Sequence, residues 1–414
     1  MKKINPFQPN SPVTTAMFAG RYDEIKELEL GLFQTQKGHN TNFLITGERG
    51  IGKSSLMMVL KYVADGTLKS FDDEKFNFTV INLVISDETD LPTLIKLIER
   101  KITRELNKIE KMRSFVKESW EFVKRIKVMD SGISSLDTDS ELDILMDDFA
   151  YSLAQTSKRI GKLEGSDKKD GIVFLLDECD KASDNLKIGY FIKLTTELLQ
   201  QNNCNNIMFT LAGLPDTVER LTSSHESSLR VMNHLKIVEL SPPDRKYVIE
   251  KGIEKANEIN VDKTTISESA KIQISTLSEG YPHFIQQFSY SAFESNNDGE
   301  ISEEDVLDGA FKKGGAIDAI GSKYYANAYH DQIKSDDYRE VLSIMAEKMS
   351  SWVKKSEIRE SFTGNDSTLK NALQALTTRK IILKNPSKVG EYRLQQRGFA
   401  LWIKLFGDRQ KKTQ

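Results

Sequence analysis

The stretch NFLITGERGIGKSSLMMVLKY, residues 42–62, decides the reading of this chain. Its first five residues form a short apolar run bounded by turn formers, which predicts a buried strand over 42–46. Gly47, Glu48, Arg49, Gly50, Ile51, Gly52, Lys53 and Ser54 then match the pattern G-x-x-x-x-G-K-[ST], and Ser55 opens the helix behind it. Glycine lets the main chain wrap its N–H groups around phosphate oxygens, and a helix starting near Lys53 adds the positive end of its dipole. Lys53 is placed to reach the β and γ phosphates of a nucleotide, and the Ser54 hydroxyl to ligate Mg²⁺. Residues 47–55 are therefore the candidate nucleotide cradle.

Working outward, further apolar runs at 78–85, 171–176, 206–212 and 235–240 read as strands, with helical stretches between them. Strands alternating with helices predict an α/β fold, a parallel sheet flanked by helices on both faces. The run 171–176 ends in Asp177-Glu178, about 120 residues after the glycine loop. Carboxylates at the carboxyl edge of such a sheet lie where Mg²⁺ on Ser54 would sit. Asp177 is the candidate metal partner, and Glu178 the candidate base or water-orienting residue for attack on the γ-phosphate. The plainer reading is that Asp177 and Glu178 cap the next helix, as Asp180 could. The chemistry implied is hydrolysis of a nucleoside triphosphate.

The charged stretch 91–165 has apolar residues at helical spacing, broken at 130–135, and reads as helices inserted into the core, with no role assigned. Ser241-Pro242-Pro243-Asp244 stops the core and starts a helix. From there to about residue 321 the pattern is helical without strand candidates, interrupted at Gly280, Tyr281 and Pro282 and restarted at 302–305. Beyond 336, helices at 338–349, 355–362 and 367–379 precede short strands at 381–384 and 391–394, the order of a winged helix-turn-helix. The expected domains are a nucleotide-binding core over 1–240, a helical lid over 241–330 and a winged helix over 331–414.

With 414 residues, 38% hydrophobic and 29% charged, the chain has the composition of a soluble globular protein. No apolar run approaches the ~20 residues of a membrane span. The N-terminus has lysines but no apolar core behind them, so no secretory signal is read and a cytoplasmic location is expected. Two cysteines, Cys179 and Cys204, make neither a disulfide framework nor a zinc site, in keeping with a reducing compartment. The net charge is -3, yet residues 336–414 hold 16 Lys+Arg against 9 Asp+Glu, leaving 42 against 52 elsewhere. An acidic body with a basic tail is a layout of proteins that act on nucleic acid.

On these residues the chain resembles the AAA+ and STAND-type P-loop ATPases, most closely the origin-recognition and replication-initiator group, over nearly its whole length. Phe18-Ala19-Gly20-Arg21, followed by Glu24-Ile25, is similar to the element that opens such domains and lies along the adenine. Residues 47–54 and Asp177-Glu178 resemble its Walker A and Walker B motifs. Arg230, in the segment 229–235, matches the place that often supplies an arginine finger to a neighbouring subunit; the alternative is a surface arginine. Pro282 and His283 match a lid turn that carries a nucleotide-sensing residue in other members; the alternative is a hydrogen-bonded lid histidine.

The resemblance implies ATP and Mg²⁺ as cofactors, ATP hydrolysis to ADP and phosphate, DNA as a partner of the winged helix, and a homo-oligomer or a partner ATPase subunit. The sequence departs from the family where its polar sensor at the end of the fourth strand is expected: either Thr210 serves or the role is absent. Its lid offers His283 in place of a sensing arginine. A weaker sensing set suggests slow turnover, with the nucleotide acting as a switch. Backbone contact is expected from Ser367, Thr368, Lys370, Asn371, Gln374, Thr378 and Arg379, with Lys384, Lys388 and Arg393 in the hairpin. Trp352 and Trp402 are expected as core anchors. The alternative function is a nucleotide-gated signalling or defence scaffold whose winged helix binds a protein.

Overall fold

The structure, a computed structural model, describes residues 3–11, 20–125, 139–349, 351–379, 381–385 and 388–407. It divides into two compact units, Arg21–Val238 and Glu239–Gln414 with the N-terminal Met1–Gly20.

The first unit is built on five parallel strands, β1 (Phe43–Thr46), β2 (Thr79–Val84), β3 (Ile172–Asp177), β4 (Ile207–Gly213) and β5 (Asn233–Lys236), in the order β2-β3-β4-β1-β5. β1 and β4 are buried along their whole length, and β3 along all but its last residue, because helices cover both faces. Phe174 and Phe209 stack across β3 and β4 at 4.7 Å. β4 lies between β1 and β3, so the ends of all three strands face one crevice: Thr46 pairs with Gly213, and Leu176 with Leu211.

The fifth strand differs from the predicted 235–240. An edge strand pairs on one side only, which admits Asn233 and His234, and only Leu235 of the strand is buried. The later apolar residues Ile237 and Leu240 are buried in the chain leaving the sheet. The insertion folds as helices Leu91–Leu106, Arg113–Ser119 and Asp139–Gly161 with short 3₁₀ turns, and its Ile98, Met112, Trp120 and Phe149 join the main core. The first helix starts on Asp90, which accepts from Thr93 N at 2.8 Å, with proline following. The predicted break at 130–135 lies outside the described residues.

The second unit begins with helix Pro242–Ile259, capped by Ser241, and continues through Glu268–Leu277, Pro282–Ser295, Glu303–Phe311 and Ala316–Tyr324. Ser302 and Asp305 form a reciprocal capping box at the predicted restart. Strands were not expected here, yet β6 (Thr265–Ile266) and β7 (Glu300–Ile301) make a two-residue parallel ladder that two residues of sequence cannot signal. Residues 3–11 pack on the helices of the second unit: the Phe7 ring lies against Gly252, and Gln8 N donates to Gln286 Oε1 at 3.0 Å.

Helix Asp336–Glu347, β8 (Val353–Lys354), helices Lys355–Ser361 and Asp366–Thr378, β9 (Ile382–Lys384), β10 (Glu391–Leu394) and helix Arg397–Phe406 complete the chain. The strands pair antiparallel as β8-β10-β9, the winged-helix arrangement. Residues 386–387 of the predicted hairpin turn lie outside the described residues. The last helix was not predicted; its Trp402 is buried against Gly321, where a methyl group would fall 1.8 Å from the indole. Trp352 is only half-buried and lies under the Arg393 guanidinium at 4.8 Å, so it is a stacking surface rather than a core anchor, and Arg393 is committed to it.

Candidate nucleotide site

The glycine loop leaves β1 where the register places the end of β4. Gly47 N donates to Gly213 O at 3.3 Å, extending the ladder by one residue into the loop. Gly47 has no room for a side chain, since a Cβ would lie 2.8 Å from Ile237 O. Gly50 and Gly52 adopt φ of 80° and 101°, the left-handed region that glycine enters without strain. That sequence of turns ends in helix Lys53–Ala64, whose first N–H groups have no carbonyl partner within the helix. Glu48 and Arg49 face outward in part or fully, and Ile51 and Ser55 are buried beneath.

Lys53 Nζ donates to Gly47 O at 2.7 Å and Glu48 O at 3.0 Å, so the lysine folds over its own loop. Burial pushes its amine below the ordinary value, opposed by the charges of Asp180, Asp177 and Glu48. The Ser54 hydroxyl donates to Asp177 Oδ2 at 2.7 Å, while Asp177 Oδ1 accepts from Glu178 N at 2.8 Å. A hydroxyl and a carboxylate oxygen are hard donors that fit Mg²⁺, which takes one or two protein ligands and completes its shell with phosphate and water. Among the described residues no group of three or more His, Cys, Asp or Glu side chains could hold a metal by itself. The donor set thus fits an ion shared with a nucleotide.

Glu178 stands at φ 58°, a strained conformation for a residue with a side chain, and its carboxylate is paired with Lys181 at 2.5 Å on the surface. Asp180 was expected only as a helix cap. Its Oδ1 accepts from Leu214 N at 3.1 Å, tying the end of β3 to the end of β4, and its charge acts on Lys53. Cys179 between them is buried, which pushes its thiol up. Thr210 does not reach this edge: it is fully buried, three residues inside β4, and its hydroxyl has no partner. The polar sensor expected there is therefore not Thr210.

Arg21 lies beside the glycine loop, in the same unit. Its side chain is 7% exposed, at φ 66°, with Nη2 donating to Ile51 O at 3.2 Å and to Val238 O, and Nη1 paired with Glu24. It ties the phosphate loop to the last residue of the first unit. Phe18 and Ala19 of the same element lie outside the described residues. Arg230 is exposed on the 3₁₀ turn Ser228–Val231 that precedes β5.

Gly20, Pro282 and His283 belong to the second unit. Gly20 has φ 67° and touches Leu240 and Asp244. Pro282 occupies the first turn of its helix, where its missing N–H costs nothing. The His283 ring stands edge-on to Tyr324 at 5.2 Å, and its Nδ1 has no partner. The expected hydrogen-bonded lid histidine is thus unbonded at Nδ1. Burial, reinforced by the Lys323 charge, pushes its pKa down to about 4, which leaves the imidazole neutral at physiological pH.

Comparison with solved structures agrees with this architecture. The ORC2 protein of Aeropyrum pernix, in its ADPNP–ADP complexes, superposes over 100% of this chain and 99% of its own with a TM-score of 0.58 at 14% identity. Its ADP form covers 99% of this chain and 95% of its own, with a TM-score of 0.50 at 14% identity. No family model matches the chain. No curated protein matches it. The chain shares the fold of this ORC2 protein, and its own elements are a parallel sheet flanked by helices, a mainly helical segment and a winged helix. No helix among the described residues is long and apolar enough to cross a membrane.

Proposed function

We propose that this protein binds ATP with Mg²⁺, hydrolyses it slowly, and uses the bound nucleotide as a switch while its winged helix docks on the DNA backbone. The observation that carries the reading is the 2.7 Å contact between Ser54 and Asp177 at the mouth of a glycine loop with two left-handed turns. The ORC2 protein of the same fold is a nucleotide complex, which supports it. Loop amides of residues 47–55 hold the phosphates, Lys53 leaves its loop carbonyls to meet them, and Ser54 and Asp177 hold the metal. When bound, Mg²⁺ supplies charge neutralisation on the transferred phosphoryl group. Glu178, freed from Lys181, orients the attacking water. Arg230, exposed before β5, serves a neighbouring subunit of a homo-oligomer or a partner ATPase. Arg21 braces the glycine loop through the Ile51 carbonyl.

On the winged helix, Ser367, Lys370, Asn371, Gln374 and Thr378 are solvent-exposed on Asp366–Thr378, Arg379 is exposed at its C-cap, and Lys384 and Lys388 are exposed in the hairpin. Four of these eight are cations and the others carry hydroxyl or amide groups, the side-chain types that contact phosphate. The test measures ATP turnover and duplex binding across a salt series. Mg²⁺-dependent turnover, and an affinity that falls as salt rises, are expected. Failure to bind duplex at any salt would remove the DNA half and leave a protein partner for the winged helix, in a nucleotide-gated signalling scaffold.

A further inference from the structure

We propose that the insertion carries both halves of a self-association interface: a basic groove on its first helices, and an acidic, partly apolar face on helix Asp139–Gly161 that seats in the groove of a second copy of this chain. The groove encloses about 540 Å³ and is rimmed by Lys96, Arg113, Lys117 and Lys124, with Glu99 the one acid in its lining. Residues 91–125 hold ten Lys+Arg against five Glu, in a chain whose net charge is -3. Lys124 pairs with Glu121 at 3.4 Å, but both are about two-thirds exposed, so this pair yields readily to a better partner.

The floor is Val116, Trp120 and Val123. Trp120 is 3% exposed and its Nε1 already donates to Thr156 Oγ1 at 3.0 Å. It offers no open ring face on which a base could stack. A groove with apolar floor and cationic rim suits apolar side chains flanked by carboxylates.

That complement stands on the same insertion. Ile144 is 64% and Tyr151 54% exposed, seven residues apart on one helix face, with Asp147 and Asp148 between them and Glu141 one turn earlier. Residues 139–157 hold five acids and no base. Groove and face are different patches, so the contact they make between copies is head-to-tail, and opposite charge fixes its register. The interface lies apart from the nucleotide loop and does not depend on the ATPase reading.

Sedimentation velocity of the full chain without nucleotide tests it. The groove variant carries Lys117→Glu with Lys124→Glu, and the face variant Asp147→Lys with Asp148→Lys, all at solvent-accessible positions, with unchanged melting curves as the control for folding. Wild type should rise above 47.0 kDa with concentration at low salt and return towards it at high salt. Each variant alone should stay a monomer, while an equimolar mixture associates, because the intact groove of one meets the intact face of the other and the reversed charges are themselves complementary. A wild type that is monomeric throughout, a variant that still associates, or a mixture that stays monomeric overturns the proposal. So does a monomeric wild type whose groove binds a single-stranded oligonucleotide or an acidic peptide and loses it in the groove variant.

Discussion

Ser54 and Asp177, 123 residues apart in sequence, meet as hydroxyl donor and carboxylate acceptor at 2.7 Å, one at the start of the helix behind the glycine loop and the other at the last residue of β3. Strand order makes this meeting possible, since only β4 separates β1 from β3. Ser54→Ala and Asp177→Asn should each leave the fold intact, because Ser54 is exposed and Asp177 is only half-buried. Both should reduce the Mg²⁺-dependent part of nucleotide binding. Lys53→Ala removes a charge-assisted contact of ~1.5–3 kcal/mol, or roughly 10- to 100-fold in affinity. Calorimetric titration with ATP, with and without Mg²⁺, measures all three; equal affinities in wild type and the Lys53 variant would refute the cradle.

Glu178 and Lys181 separate binding from chemistry. Glu178→Gln keeps the size of the side chain and its backbone turn but removes a base, so turnover should fall roughly 10²- to 10⁴-fold with ATP affinity unchanged. Lys181→Ala releases the carboxylate from a surface pair and should not lower the rate. Single-turnover assays decide the point. An undiminished rate in the Gln variant would move the catalytic role elsewhere, with Asp180 next to consider.

Arg21 donates to two main-chain carbonyls, those of Ile51 and Val238. Arg21→Ala leaves these and Glu24 without their donor inside the structure, at a cost of ~1–3 kcal/mol. Lysine cannot span both carbonyls with a planar fork, so Arg21→Lys should recover only part of the loss. Urea denaturation measures the difference. The Ala variant should also bind ATP more weakly than its stability loss alone implies, because the loop at Ile51 is untethered; unchanged affinity would confine Arg21 to a structural role.

How far the sequence carried the reading depends on how local each signal was. The glycine loop and the acidic end of β3 were legible because each is a short pattern attached to an apolar strand. β5 was misplaced because its edge position tolerates Asn233 and His234, while Ile237 and Leu240 are buried outside any strand. Helix Arg397–Phe406 buries Phe399, Trp402, Ile403 and Phe406 at helical spacing, a signal present in the sequence but lying past the hairpin with which a winged helix ends. The contacts of Arg21 and Asp180 were not legible at all. Each depends on a carbonyl or amide brought from a distant strand end, and no spacing in the sequence encodes that.

His283 gives the chain a predictable acid response. Burial holds its pKa at about 4 in the folded state, against an ordinary value of 6.5. Between these values the unfolded chain binds a proton that the folded chain does not, so stability rises with pH. The contribution is fully present above about pH 6.5 and is lost progressively as the pH falls to about 4, with no further loss from this group below that. Its full size is about 3 kcal/mol. His283→Phe keeps an aromatic ring against Tyr324 and Phe284 and removes the titrating group together with the unpartnered Nδ1. Chemical denaturation from pH 7 to pH 4 should therefore show a smaller decline in the Phe variant than in wild type by that amount, with the two curves diverging below pH 6.5. Parallel curves would mean that the imidazole takes up its proton in the folded lid as readily as in the unfolded chain, as a sensing cation would.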